Sequence, residues 1–204
     1  MRQASARKPA PNGNSSMTRT LVFGGARSGK SAYAEQLARS SGKEVIYIAT
    51  AQAGDGEMAT RIIHHRLQRP AEWITLEEPL CLGEVILQQA HPKRLLLVDC
   101  LTLWLTNLLF SNGETYPEVG DIVLPERFHS ERALLLYALA DLEDTGCDIV
   151  LVSNEVGMGI VPYGAISRCF TDEAGRLNQA VAAICDKAVL VAAGLPLHLK
   201  GGPC

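Results

Sequence analysis

An apolar run, Leu21-Val22-Phe23, leads into Gly24-Gly25-Ala26-Arg27-Ser28-Gly29-Lys30-Ser31 and then into a stretch with helical spacing over 31–37. Few local patterns restrict a fold as much. Glycines let the backbone amides of such a loop curl around phosphate oxygens, and a helix beginning there adds the partial positive charge of its N-terminus. That requires a sheet strand before the loop and a helix after it, which this sequence supplies. Gly-x-x-x-x-Gly-Lys-Ser is the P-loop pattern. Gly24 through Ser31 are therefore expected to hold a nucleoside triphosphate, with Lys30 reaching the β- and γ-phosphates and the Ser31 hydroxyl ligating Mg²⁺.

From Thr20 onward, short β-branched runs alternate with longer amphipathic ones, as in a parallel sheet wrapped by helices. The pattern predicts strands over 20–24, 44–49, 94–99, 148–154 and 187–192. It predicts helices over 30–40, 57–68, 82–90, 101–110, 125–143 and 166–185. Strands apolar on both faces belong inside a sheet covered on two sides. Residues 111–124, with Gly113, Pro117 and Gly120, read as a surface loop. Residues 1–17 are rich in Arg, Lys, Pro, Ser, Asn and Gly without apolar periodicity, and read as a disordered leader. At 204 residues and 47% hydrophobic, the remainder, 18–204, suffices for one domain and is short for two.

A formal net charge of −3 provides no global basic field, so a polyanion must be held locally and nucleic acid is not an expected partner. The six cysteines are scattered, without a C-x-x-C pair or a secretory apolar segment ahead of them. They read as reduced thiols of a cytoplasmic protein, and zinc binding by them is not expected. No apolar run approaches the ~20 residues that cross a bilayer.

Three further features bear on chemistry. Asp99 closes the apolar run Arg94-Leu95-Leu96-Leu97-Val98. It is placed either to hold magnesium opposite the P-loop or to cap the helical run from Leu101. In Arg61-Ile62-Ile63-His64-His65-Arg66-Leu67-Gln68-Arg69, residues four apart share a helix face, so Arg61 and His65 form a stripe that His64 leaves and that Arg69 extends only against the pull of Pro70 away from helical geometry. An imidazole among guanidiniums suits phosphate and stays neutral and nucleophilic, although a solvated basic face has the same pattern. Last, Ser153-Asn154-Glu155-Val156-Gly157-Met158-Gly159 opens from a strand end, where ligands of open α/β sheets bind. Asn154 and Glu155 are candidates there or members of an ordinary turn, while Asp172, Arg176 and Asn178 read as a polar helix face or subunit contact.

Together these pieces resemble the bifunctional adenosylcobinamide kinase/adenosylcobinamide-phosphate guanylyltransferase family of cobalamin biosynthesis. The resemblance runs from about Thr20 to Lys200. It rests on the P-loop, Tyr47-Ile48-Ala49-Thr50-Ala51, Glu57-Met58, Arg61-Ile62 with His64-His65-Arg66, Arg69-Pro70 with Trp73, Thr75 and Glu77, Thr106-Asn107-Leu108-Leu109, and Asn154 through Pro162. It implies a RecA-like P-loop NTPase fold, a mostly parallel sheet flanked by helices. It also implies GTP, ATP and Mg²⁺ as cofactors, a corrinoid substrate and a homotrimer. The aminopropanol hydroxyl of adenosylcobinamide would be phosphorylated, and GMP from GTP then transferred to that phosphate by way of a histidine. The motif puts this role on His65, the residue that the helical stripe also selects. Nucleotide contacts carry over to Gly24, Gly25, Ala26, Arg27, Ser28, Gly29, Lys30 and Ser31, to Ala49, Thr50 and Ala51, to Arg66, Leu67, Gln68 and Arg69, and to Glu77 and Asp99. Leu67 and Gln68 would act through backbone or packing, since neither side chain is charged. Two competing readings use the same P-loop: a single-activity small-molecule kinase in which the histidines only bind phosphate, and a nucleotide-sensing module without turnover.

Overall fold

The computed structural model describes residues 17–52, 70–111 and 113–202. Seven strands form one sheet: β1 (Arg19–Gly24), β2 (Glu44–Ala49), β3 (Ile74–Glu77), β4 (Arg94–Asp99), β5 (Asp148–Asn154), β6 (Lys187–Ala192) and β7 (Leu195–Lys200). Their order across the sheet is β3-β2-β4-β5-β1-β6-β7, parallel except for the β6–β7 hairpin. The P-loop strand β1 is central, and β5 separates it from β4, which ends in Asp99. This is the RecA-like arrangement, with helices on both faces of the sheet.

The strand sequences account for the layers. In β1, β2, β4 and β5 alternate side chains are committed to opposite cores: Leu21, Ile46, Ile48, Leu96, Val98, Ile149 and Leu151 on one face, and Val22, Val45, Tyr47, Leu95, Leu97, Val150 and Val152 on the other. The first core is covered by α2 (Leu82–Gln89), α3 (Leu101–Leu109), α4 (Glu126–Asp141) and α5 (Ala165–Ile184), through Ile86, Trp104, Phe128, Leu135, Leu177 and Val181. Gly83 lets α2 approach α4 backbone to backbone, because a Cβ there would lie 2.8 Å from the Leu134 carbonyl carbon. The second core receives α1 (Lys30–Ser40) through Ala34 and Ala38, whose small side chains bring the helix close to the strands behind the P-loop.

Four predicted strands have the observed bounds and the fifth begins one residue earlier, at Arg19. The five predicted helices within the described residues start or stop within two residues of expectation, and α4 continues into a 3₁₀ turn, Leu142–Asp144. The predicted helix over 57–68 lies outside the described residues. Strands β3 and β7 were not anticipated. Both are sheet edges with largely exposed side chains, and β7 contains Pro196, which a strand tolerates at an edge. Residues 111–124 contain no helix or strand among those described. Met17, expected as the last residue of a leader, packs against the first core. The five described cysteines are free thiols. Among the described residues no helix is long and apolar enough to cross a membrane.

Candidate functional site

The carboxyl ends of β1, β4 and β5 converge on the P-loop. Gly24, the last residue of β1, passes so close to β6 that a Cβ there would sit 2.2 Å from the Val191 carbonyl oxygen. Gly29, with φ 96°, turns the chain into α1, and Arg27 adopts φ 55° on the exposed crest. The loop is braced from outside by the two-residue turn Ala193-Gly194, whose positive φ values of 52° and 78° suit the hairpin between β6 and β7. From that turn the Gly194 N–H donates to the Ser28 carbonyl oxygen at 2.8 Å.

Inside this frame the loop's polar groups lack protein counterparts for an anion site. Lys30 is buried, and its ammonium donates to the Gly25 carbonyl oxygen at 3.1 Å. The Ser28 hydroxyl is buried without a hydrogen-bond partner among the described residues. Gly29 caps α1 without a side chain, and the first turn of that helix contains no acidic residue. An ammonium, an orphan hydroxyl and an uncapped helix start within one short loop suit a phosphate ester. Burial lowers the Lys30 pKa from its ordinary value, opposed by the neighbouring Cys100 and Asp99. The Cys100 thiol is itself pushed up to about 11, first by burial and then by Asp99, so near neutrality it is uncharged and Asp99 is the anion facing the lysine.

Asp99 does not cap the helix that follows it. The cap position of α3 is Cys100 and makes no side-chain capping bond, whereas Asp99 Oδ2 accepts a hydrogen bond from the Tyr47 hydroxyl at 2.9 Å. That bond fixes one carboxylate oxygen. Among the described residues there is no cluster of three His, Cys, Asp or Glu side chains that could hold a metal by themselves. One hydroxyl, Ser31, and one carboxylate, Asp99, instead fit a hard cation that brings phosphate oxygens and water with it, as Mg²⁺ does.

The remaining strand ends are tied together around this pair. Thr50 is fully buried; its hydroxyl donates to the Cys100 carbonyl oxygen and accepts from the Cys100 N–H, both at 2.8 Å. Asn107 reaches from α3 to the carbonyls of Thr50 and Pro79, at 2.7 and 3.0 Å. Ala49 pairs with Glu77 in the β2–β3 ladder, and Ala51 follows at the half-exposed edge of the site. On the other side, Asn154 donates to Thr102 Oγ1 at 2.7 Å, and Thr102 Oγ1 lies 3.2 Å from the Cys100 sulfur. Asn154 thus belongs to the site. Glu155 donates its N–H to the Gly24 carbonyl oxygen but spends a carboxylate oxygen on the Gly157 N–H of its own loop.

Asp172 and Arg176 lie on the exposed face of α5, as expected for a polar helix face, but Asn178 does not. It is buried and donates to the Asn154 carbonyl oxygen at 3.3 Å, leaving its own Oδ1 without a partner. Tyr47, Thr102 and Asn178 border the site although sequence reasoning placed none of them there, because each acts through a partner at least 24 positions away. Arg61, His64, His65, Arg66, Leu67, Gln68 and Arg69 lie outside the described residues.

Comparison with known proteins agrees over nearly the whole chain. The family model described as cobinamide kinase / cobinamide phosphate guanyltransferase matches residues 20–199. The bifunctional adenosylcobalamin biosynthesis protein CobP of Pseudomonas aeruginosa is 53% identical over 185 residues, covering 91% of this chain and 99% of that protein. The bifunctional adenosylcobalamin biosynthesis protein CobU of Salmonella typhimurium is 44% identical over 181 residues, covering 88% of this chain and 98% of that protein. Among solved structures, a KaiC-like protein from Pyrococcus horikoshii OT3 is similar at 13% identity with a TM-score of 0.45, covering 85% of this chain and 70% of that one.

Proposed function

The chain belongs to the cobinamide kinase / cobinamide phosphate guanyltransferase family, and on that premise we propose how its residues divide the two reactions. It is an enzyme of cobalamin biosynthesis. In the first reaction ATP or GTP lies with its phosphates in Gly24–Ser31 and donates its γ-phosphoryl group to the aminopropanol hydroxyl of adenosylcobinamide. In the second, His65 attacks the α-phosphorus of GTP: a P–N bond forms, the bond to pyrophosphate breaks, and GMP rests on the imidazole. The phosphate of adenosylcobinamide phosphate then attacks that phosphorus, breaking the P–N bond and forming the diphosphate of adenosylcobinamide-GDP. Each exchange trades one phosphate ester or amidate for another, so positioning and charge stabilisation supply most of the rate.

One observation carries the proposal: Lys30, the orphan Ser28 hydroxyl and the uncapped start of α1 occur in one loop, and Lys30 feels the charge of Asp99, a carboxylate already oriented by Tyr47. Lys30 would leave the Gly25 carbonyl and follow the β- and γ-phosphates, with Ser28 donating to a phosphate oxygen. Ser31 and Asp99 would hold Mg²⁺, which offsets charge on the leaving pyrophosphate when bound. Ala49, Thr50, Ala51 and Glu77 would border the nucleotide, Thr50 by keeping the β2 and β4 ends together. Arg66, Leu67, Gln68 and Arg69 would follow the histidine along the triphosphate. A cytoplasmic site of action accords with free thiols at the five described cysteines. A homotrimer, expected from the family resemblance, would find exposed apolar surface at Leu195, Leu197 and Leu199 on the sheet edge.

Incubation with α-labelled GTP should leave acid-labile, alkali-stable label on the protein, and His65→Ala should abolish it. Equal labelling of that variant removes His65 from the mechanism. Transfer of γ-label to product, with no α-label ever retained, selects the single-activity kinase instead.

A further inference from the structure

The loop after β5 carries five of the exposed large apolar side chains among the described residues: Val156, Met158, Ile160, Val161 and Tyr163. Ile160 is 98% exposed and Tyr163 80%. The loop nonetheless has a defined shape. The Glu155 carboxylate accepts the Gly157 N–H at 2.7 Å, the Arg168 guanidinium donates to the carbonyls of Pro162 and Tyr163, and the Ala165 N–H donates to the Glu118 carbonyl oxygen. Hydrogen bonds thus hold the backbone while the apolar side chains are left facing water. Contiguous exposed apolar surface of this kind marks a binding surface.

Between the loop and α5 lies an open groove of about 570 Å³, lined by Val161 and Pro162 on one wall and by Arg168, Thr171, Asp172 and Gln179 on the other. A chain of neighbours links it to the P-loop strand. Gln179 follows Asn178, which donates to the Asn154 carbonyl oxygen, and Asn154 is the register partner of Gly24.

We propose that this groove seats the corrinoid acceptor, an inference that rests on the kinase and guanyltransferase reading above. A corrin is a flat macrocycle with apolar faces and a rim of primary amides, each amide both donor and acceptor and uncharged. The groove offers matching groups: a carboxylate to accept, guanidiniums to donate, Thr171 and Gln179 to do either, and the apolar loop to lie against a ring face. A bare phosphate would need unopposed cations. Here Arg168 is engaged by loop carbonyls, Arg176 is paired with Glu173, and Asp172 stands in the same wall. A second copy of the chain would call for a drier centre than this lining provides. With the macrocycle in the groove, the aminopropanol arm extends past Asn154 toward the P-loop.

Gly175 supplies the test. It lines the groove from within α5, and a Cβ added there meets nothing within 4 Å. The side chain of Gly175→Leu therefore starts into the open groove without a clash at its Cβ, and leucine suits a helix better than glycine. With cobinamide as the probe, followed by its visible absorbance, the variant should bind at least tenfold more weakly than the natural chain. Binding of a non-hydrolysable GTP analogue and the sedimentation coefficient should stay unchanged. Met158→Ser with Ile160→Ser should weaken cobinamide binding in the same direction. Undiminished cobinamide binding by Gly175→Leu overturns the proposal, as does an equal loss of GTP-analogue binding. Altered sedimentation makes the groove a contact between copies and also overturns it. Failure of the natural chain to bind cobinamide overturns the functional reading itself, a result separable from the others because it appears before any substitution.

Discussion

Arg19, Lys43 and Arg94 stand at the amino ends of β1, β2 and β4, and each is matched by an acid. Arg19 donates to both carboxylate oxygens of Asp186, Lys43 lies 2.8 Å from Asp148, and Arg94 lies 2.8 Å from Glu44. Backbone amides join in, with Thr18 N–H donating to Asp148 and Arg19 N–H to Asp186, each at 2.8 Å. At the carboxyl ends of the same strands the accounting is reversed. Lys30 has a loop carbonyl in place of a carboxylate, the Ser28 hydroxyl and one Asn178 oxygen have no partner, and α1 starts without a cap. Burial acts on both ends alike. Desolvation pushes the Asp186 carboxyl up, but hydrogen bonds and charge from Arg19 outweigh it and hold the pKa below its usual value. No comparable pairing offsets burial at Lys30, whose pKa falls. One end of the sheet uses its charges to close the fold, and the other keeps them for a ligand.

Lys30→Met breaks the comparison most severely. If Lys30 meets the transferred phosphates as proposed, its removal should lower kcat/KM for both reactions by on the order of 10²–10³-fold, or roughly 3–4 kcal/mol. Stability should not follow. Because burial depresses the folded pKa of Lys30, the unfolded chain binds more protons in the window between the folded and unfolded values. The cost of burying the ammonium is thus present at neutral pH and relieved only as pH rises through the folded pKa. Urea unfolding at pH 7 should find Lys30→Met at least as stable as the natural chain, with a smaller gain on raising the pH. A clear loss of stability would mean that Lys30 is structural.

Asp148→Ala is the opposite experiment. It leaves Lys43, whose side chain is 16% exposed, without its carboxylate and the Thr18 N–H without its acceptor. A charged group with such partners contributes about 2–3 kcal/mol, seen as a lower urea midpoint at unchanged slope. The kcat of the folded fraction should stay within about twofold of the natural value, since the sheet separates Asp148 from the P-loop by the length of β5. A loss of kcat exceeding the loss of stability would show that the two ends of the sheet are coupled.

The same division explains what the sequence discloses. Strands β1, β2, β4, β5 and β6 are legible because buried strands must be apolar on both faces, and the P-loop because all its residues are contiguous. Strands β3 and β7 escape notice because an edge needs no such pattern: β3 has four residues, and β7 contains a proline. Asp99 is visible as a strand end, but its freedom from helix capping is not, because that depends on a hydroxyl 52 positions away. Asn178 shows the limit most plainly. Its neighbours Asp172 and Arg176 are exposed, and the packing of α5 against the sheet, which no sequence period announces, turns Asn178 inward as it does Glu173. Long-range polar pairs have no period to betray them.

At the Tyr47–Asp99 bond the carboxyl end, like the amino end, gives a carboxylate a protein partner, and Tyr47→Phe asks which kind of bond it is. The ring can stay, since Tyr47 is buried and stacked on Trp73 at 6.4 Å, with Arg39 over the opposite partner at 5.5 Å from the Trp73 centroid. Only the hydroxyl is lost, an effect of about 1 kcal/mol, or roughly fivefold in an equilibrium constant. If the bond orients Asp99 toward a cation, the loss should appear as weaker binding of Mn²⁺ measured by electron paramagnetic resonance in the presence of a non-hydrolysable GTP analogue. Metal-free binding of the analogue and the urea midpoint should then barely move. If the midpoint falls and Mn²⁺ affinity holds, the bond belongs with the Asp148 and Asp186 pairs, and Asp99 needs no tyrosine to do its work. The hydroxyl cannot serve both ends equally, because a carboxylate oxygen already oriented by a buried partner costs less to order when the cation arrives.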